Sequence, residues 1–117
     1  MALKIRRTKA MKPSSPCPIS ECMKLLGGAW TPNVIWYLSG GPRRFGELRN
    51  DIPDISPKML SARLHSLEAT GVIRREIIAS SPPSAEYVLT ELGSELLPII
   101  DKIVEIGSKL RERRQAA

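Results

Sequence analysis

Aromatic residues are scarce in this chain: among 117 residues only Trp30, Trp36, Tyr37, Phe45 and Tyr87 carry aromatic rings. The core must therefore be mostly Leu and Ile, which suits packed helices better than a β-sandwich. There is one histidine, His65, and two cysteines, Cys17 and Cys22. Neither type offers the paired ligand spacing of a metal centre. On one helix the two thiols would lie about 8 Å apart, beyond disulfide reach. No apolar run attains the roughly 18 residues that a membrane-spanning helix needs. The opening MALKIRRTKAMK lacks the apolar stretch that a secretory signal carries behind its basic residues. The cytoplasm is the expected location, with no membrane partner. A Gly-rich phosphate loop is absent, and Cys17 and His65 belong to different elements with no third group to orient them. Neither catalysis nor a bound cofactor is expected.

What is present fits one soluble domain, with 42% apolar and 26% charged residues. The net charge of +6 is unevenly spread. Residues 1–12 contribute +5 with no acid, residues 43–75 contribute +3, and the chain from Glu76 onward sums to −2. Positive charge confined to an arm and one central stretch points to a polyanion as partner, with the acidic remainder facing away.

The order of elements follows from periodicity and punctuation. Residues 1–16 form a basic and then Pro/Ser-rich arm, expected to be flexible, and residues 17–113 the folded domain. A first helix from Pro18 carries Ile19, Cys22, Met23, Leu25 and Leu26 and stops at Gly27-Gly28. Thr31 is expected to cap a second helix that buries Val34, Ile35 and Leu38, and a short third helix runs near Arg44 to Asn50. The stretch SPKMLSARLHSLEATG, residues 56–71, has a finished start and stop: Ser56 as N-cap, Pro57 in the first turn and Gly71 as a left-handed cap. VIRREIIA, the loop SSPPSA and EYVL then read as a hairpin. Thr90 caps a last helix, bent at Pro98, whose apolar stripe from Leu92 to Leu110 is wider than one small core requires.

At 100° per residue, Met59, Leu60, Leu64 and Leu67 share one stripe of the fourth helix. Lys58, Ser61, Ala62 and His65 gather on the other side, with Arg63 at the edge of the apolar stripe. That outer face is small, polar and hydrogen-bonding, where an ordinary surface helix carries paired charges. The fold class is thus mainly α with a small β-hairpin wing, a winged helix-turn-helix. Its fourth helix suits the major groove of double-stranded DNA, where base edges offer donors and acceptors but little room for bulk. Lys58, Ser61 and His65 can hydrogen-bond there, and Ala62 can touch a thymine methyl. Ser56, Pro57 and Arg63 complete the helix's contribution, and Arg43, Arg44, Arg74 and Arg75 flank it where phosphates would run. A polar outer face is also what any amphipathic surface helix has, and exposed arginines are often merely solvated. The competing reading is a winged helix used for protein contacts without sequence-specific DNA binding.

The segments LLGGAWT (25–31), GPRRFGEL (41–48), ISPKMLSARLHSLEATGVI (55–73) and EYVLTELG (86–93), in this order and spacing, resemble the HxlR-type winged helix transcriptional regulators of the MarR-like superfamily. The resemblance runs from Cys17 to about Gly107. It implies a homodimer that binds operator DNA, with the first and last helices as interface; the surplus apolar stripe of residues 92–110 supports this independently. Family members commonly carry a basic residue after the two prolines of the wing, where this chain has Ser84. That leaves Ser80, Ser81 and Ser84 for weaker phosphate bonds, and the basic arm of residues 4–12 as a substitute source of charge. Cys17 opens the first helix, where backbone amides and the dipole favour a thiolate, and it matches the cysteine that some such regulators use to sense oxidants. A small residue capping a helix is the plainer account of it.

Overall fold

Pro18 and Glu21 occupy the first turn of the first helix, α1 (Pro18–Leu26), the position where a missing N–H costs nothing and a negative charge suits the dipole. In the computed structural model, which describes residue 3 and residues 17–116, α2 (Thr31–Leu38), a two-residue strand β1 (Arg43–Arg44), α3 (Phe45–Asp51) and α4 (Pro57–Ala69) follow. Strands β2 (Ile73–Ile78) and β3 (Ser84–Leu89) and helices α5 (Glu91–Glu95) and α6 (Leu97–Ala116) complete the chain. The architecture is a winged helix-turn-helix: mainly helical, with a small antiparallel sheet. The arm of residues 1–16 lies outside the described residues, apart from Leu3.

One core joins these elements. Leu26 of α1, Val34, Ile35 and Leu38 of α2, Leu48 of α3, Leu60, Leu64 and Leu67 of α4, Ile73 of β2 and Ile100 of α6 are all buried in it. The expected stripes of α2 and α4 thus face inward, with Met59 only partly covered. α4 begins as its sequence indicates: Ser56 Oγ accepts from the Met59 amide at 3.1 Å. It ends at Gly71, whose φ of +81° is readily available to glycine and strained for other residues. Thr90 caps α5 by accepting from the Gly93 amide at 3.2 Å, and its hydroxyl points to the carbonyls of Gly71 and Val72, tying the end of the wing to its beginning.

Four expectations need correction. The hairpin is the larger part of a three-stranded sheet of order β1-β3-β2, in which Arg43 pairs with Tyr87 and Arg44 with Glu86; two residues are too few to leave a periodic trace. Thr31 does not cap α2. It is the first helical residue, its hydroxyl donates back to the Gly27 carbonyl at 3.0 Å, and Trp30 takes the cap position with φ +70°. Pro98 divides the last helix rather than bending it: α5 ends at Glu95 and α6 starts at Leu97, because Pro98 has no N–H to give and its ring crowds the carbonyl four residues back. Ser84 belongs to β3, paired with Ile78, so the wing loop is shorter than the hydrophilic run suggested.

The surplus apolar surface is real and faces outward. Ile99, Ile103, Ile106 and Leu110 of α6 are 39–57% exposed, and their spacing of four, three and four residues puts them within one narrow stripe. Ile19 and Met23 of α1 are exposed as well.

Candidate nucleic-acid interface

α4 is held to the core by Leu60, Leu64 and Leu67 and turns its opposite side to solvent. Lys58, Ser61, Ala62 and His65 are all exposed, as are Ser56 and Pro57 at its start. No acidic side chain occurs on α4 before Glu68. The unbulky face is therefore open along its length and carries donors, a methyl and one cation.

The wing stands beside this face. Arg75, in the middle of β2, lines a shallow groove with His65, Glu68 and Ala69 of α4, and among the described residues it has no carboxylate within ion-pair distance. Arg74 points to the other face of the sheet, where its Nε donates to Glu76 Oε1 at 2.8 Å. Both partners are about half exposed, so water screens the pair and Arg74 can exchange Glu76 for a phosphate at small cost. The wing tip offers little: Ser80 Oγ donates to the Pro82 carbonyl at 2.7 Å, and Ser84 Oγ is enclosed with no hydrogen-bond partner. Ser84 Oγ is therefore less open to a phosphate than its place after the two prolines implies.

The arginines before α4 separate into two kinds. Arg43 is engaged internally, its guanidinium bound to both carboxylate oxygens of Asp51 and directed at Glu47, 3.5 Å away. Its charge is already matched by two acids, which leaves it less available to a phosphate than Arg44. Arg44 is exposed; only its backbone amide is used, donating to Glu47 Oε1 at 2.9 Å to start α3. Its side chain borders an open groove with Arg49 and Asn50 of α3. Asn50 escaped notice in the sequence because a single polar residue at a helix end carries no distinguishing pattern. Arg63 also departs from the DNA-facing set. It leans away from the outer face of α4, toward the Gly27–Thr31 turn, with Nε 3.4 Å from Met59 Sδ.

At the other end of the domain Cys17 is the N-cap residue of α1. Its side chain makes no capping hydrogen bond, but the nearby backbone amide of Ser20, then that of Ile19, then the Ser20 hydroxyl favour the thiolate and hold the thiol below its ordinary value. Cys22 is a free thiol on the same helix, partly covered by the core. Among the described residues no group of three His, Cys, Asp or Glu side chains is arranged to hold a metal ion, and no helix is long and apolar enough to cross a membrane.

The model of the HxlR-like helix-turn-helix family matches residues 25–115. The uncharacterized HTH-type transcriptional regulator YdeP of Bacillus subtilis (strain 168) is 38% identical over 97 residues, covering 83% of this chain and 76% of that protein. Among solved structures, the redox regulator HypR in its oxidized form superposes with a TM-score of 0.77 at 36% identity, over 80% of this chain and 96% of that one. The reduced form of the transcriptional regulator YodB from B. subtilis gives 0.68 at 36% identity, over 76% and 88%.

Proposed function

We propose, from the premise that this chain belongs to the HxlR-like helix-turn-helix family of transcriptional regulators, that it is a homodimeric, cytoplasmic regulator that binds a specific double-stranded operator. Residues 17–113 act as one DNA-binding and dimerisation domain. α4 enters the major groove with Lys58, Ser61, Ala62 and His65 toward the base edges, and Ser56 and Pro57 lie at the backbone where the helix enters. Arg75 in the middle of β2, Arg74 and, on the other side, Arg44 meet phosphates and fix the register of the helix.

The observation that carries this reading is the uncovered outer face of α4, free of acids as far as Glu68, flanked on both sides by cations that have no carboxylate within ion-pair distance among the described residues. A protein-contact module has no need for such a face. The exposed stripes of α1 and α6 support pairing of two copies through these helices, since four large aliphatics in a heptad-like row are costly to leave in water. A two-fold pair presents two copies of α4 and so favours a palindromic site with half-sites about one helical turn, or a multiple of it, apart.

Cys17 adds a thiol response. HypR is described as a redox regulator, and a thiol held below its ordinary value at the head of an interface helix is the group that an oxidant would modify first.

Selection of bound genomic fragments followed by binding titrations at several salt concentrations tests the main reading. The expected result is a steep fall of affinity with salt and at least a thousandfold preference for one site over random duplex. Equal affinity for all duplexes would remove the case for sequence-specific regulation.

A further inference from the structure

Arg63 is the unexplained cation of α4. It is half-buried, and among the described residues its one hydrogen-bond partner is the weakly accepting Met59 sulfur. No carboxylate among the described residues comes within ion-pair distance. Its guanidinium lies over Gly28, so closely that a Cβ there would stand 2.4 Å from Nη1. The φ of +101° at Gly28 independently disfavours a side chain. Glycine at position 28 is required by this backbone conformation, and the Arg63 guanidinium occupies the space left by the missing side chain.

The guanidinium borders a cleft of about 210 Å³ between the end of α1, the start of α2 and the flank of α4. Its polar lining consists of Lys24, Arg63, Thr31, Ser66 and Thr70, and no acidic side chain contributes to it. Lys24 pairs with Glu21 at 3.1 Å, but Glu21 lies outside the cleft and both side chains are substantially exposed, so the pair is weak. The three hydroxyls donate to local carbonyls three or four residues back, at 3.0 Å from Thr31, 3.1 Å from Ser66 and 3.2 Å from Thr70. Ser66 and Thr70 are exposed and can exchange these local bonds for an incoming acceptor, whereas Thr31 is buried. α2, whose first residue is Thr31, has no side-chain cap at its positive end.

We infer that this cleft is an oxyanion site, binding a phosphate or carboxylate group between Lys24 and Arg63 with hydroxyl donors around it. It lies on the side of α4 away from the Arg75 groove, and joins the interface helix α1 to the DNA-facing helix. Its anion can come from solution, as a small phosphorylated or carboxylated effector, or from the DNA backbone. The inference stands on the cleft and does not depend on the DNA reading.

Two arms separate the sources, with Ser66→Glu and Lys24→Gln as variants at exposed positions that should fold whether or not Arg63→Gln does. Ser66→Glu gives Arg63 an internal counterion and should close the site. In the first arm, thermal unfolding is followed in inorganic phosphate against sodium chloride of equal ionic strength. A free-anion site gives a Tm rise of several degrees in the parent protein at phosphate well above Kd, absent in Ser66→Glu and reduced in Lys24→Gln. In the second, affinity for a random duplex is measured against salt. A backbone-phosphate site gives no Tm rise, but Ser66→Glu lowers the salt slope by about one. A parent protein without a phosphate-specific Tm rise, and a salt slope unchanged in Ser66→Glu, would overturn the inference. If no duplex is bound at all, the phosphate arm alone decides.

Discussion

Arg43 grips Asp51 with two parallel bonds, Nε to Oδ2 at 2.9 Å and Nη2 to Oδ1 at 2.8 Å. The pair is mostly shielded and fastens β1 to the last residue of α3. It is a structural clasp with a planar, bidentate geometry that lysine cannot reproduce. Arg43→Ala should lower the stability of the domain by about 1–2 kcal/mol. Urea unfolding measures this, and the salt slope of duplex binding should stay as in the parent protein. A slope reduced by a full phosphate contact would return Arg43 to the DNA surface.

Arg75 and Lys58 should behave differently from each other. Lys58→Ala and His65→Ala are expected to weaken the true operator by about 1–3 kcal/mol each and random duplex far less. Arg75→Ala should weaken every duplex alike and flatten the salt slope by about one. Fluorescence anisotropy titrations with paired operator and random probes check both; identical losses on the two probes for the α4 variants would contradict the assignment of bases to that helix.

The α6 stripe predicts the oligomeric state. Ile103→Glu places a charge in the centre of the exposed row of Ile99, Ile103, Ile106 and Leu110. Pairing of copies should weaken at least a hundredfold, about 3 kcal/mol, as read by sedimentation over a dilution series. The core contacts of Ile100 are untouched, so far-UV circular dichroism should be preserved.

Cys17 should react early. A thiol held below its ordinary value by the Ser20 and Ile19 amides has a larger thiolate fraction at neutral pH than a free cysteine. Its alkylation by iodoacetamide should reach half its maximum rate at a correspondingly lower pH. In Cys17→Ser the fast phase should vanish while operator binding by the reduced protein is retained. Any loss of operator binding on diamide treatment should vanish with it; a response that survives the substitution would assign sensing elsewhere.

Gly93 is a packing requirement. A Cβ at this position would lie 2.3 Å from the Val72 carbonyl oxygen and 2.9 Å from Leu89 Cδ2, so α5 can approach the base of the wing only without one. Gly93→Ala should cost about 2–3 kcal/mol, seen as a lower urea midpoint at unchanged slope.

Much of this was legible in the chain. The limits of α4, its cap at Ser56, its turn at Gly71 and its division into leucine and unbulky faces follow from local preference and a 3.6-residue period, which act within a few residues. The surplus stripe of α6 was legible for the same reason. β1 was not, because Arg43 and Arg44 become a strand only through partners on β3, more than forty positions away.

The sequence by itself determined the order of the longer elements, β1 and the division at Pro98 excepted, and which side of each helix is apolar, since periodicity and capping are properties of neighbouring residues. Tertiary structure alone decided what each arginine does. Arg43, Arg44, Arg63, Arg74 and Arg75 are chemically identical in the sequence, and only the fold sets Asp51 against the first, Glu76 against the fourth, and an acid-free cleft beside the third. Charge acts over distances in space, set for Arg74 and Glu76 by the alternation of one strand, for Arg43 and Asp51 by the turn of β1 into α3, and for Arg63 by the packing of α1 and α2 against α4.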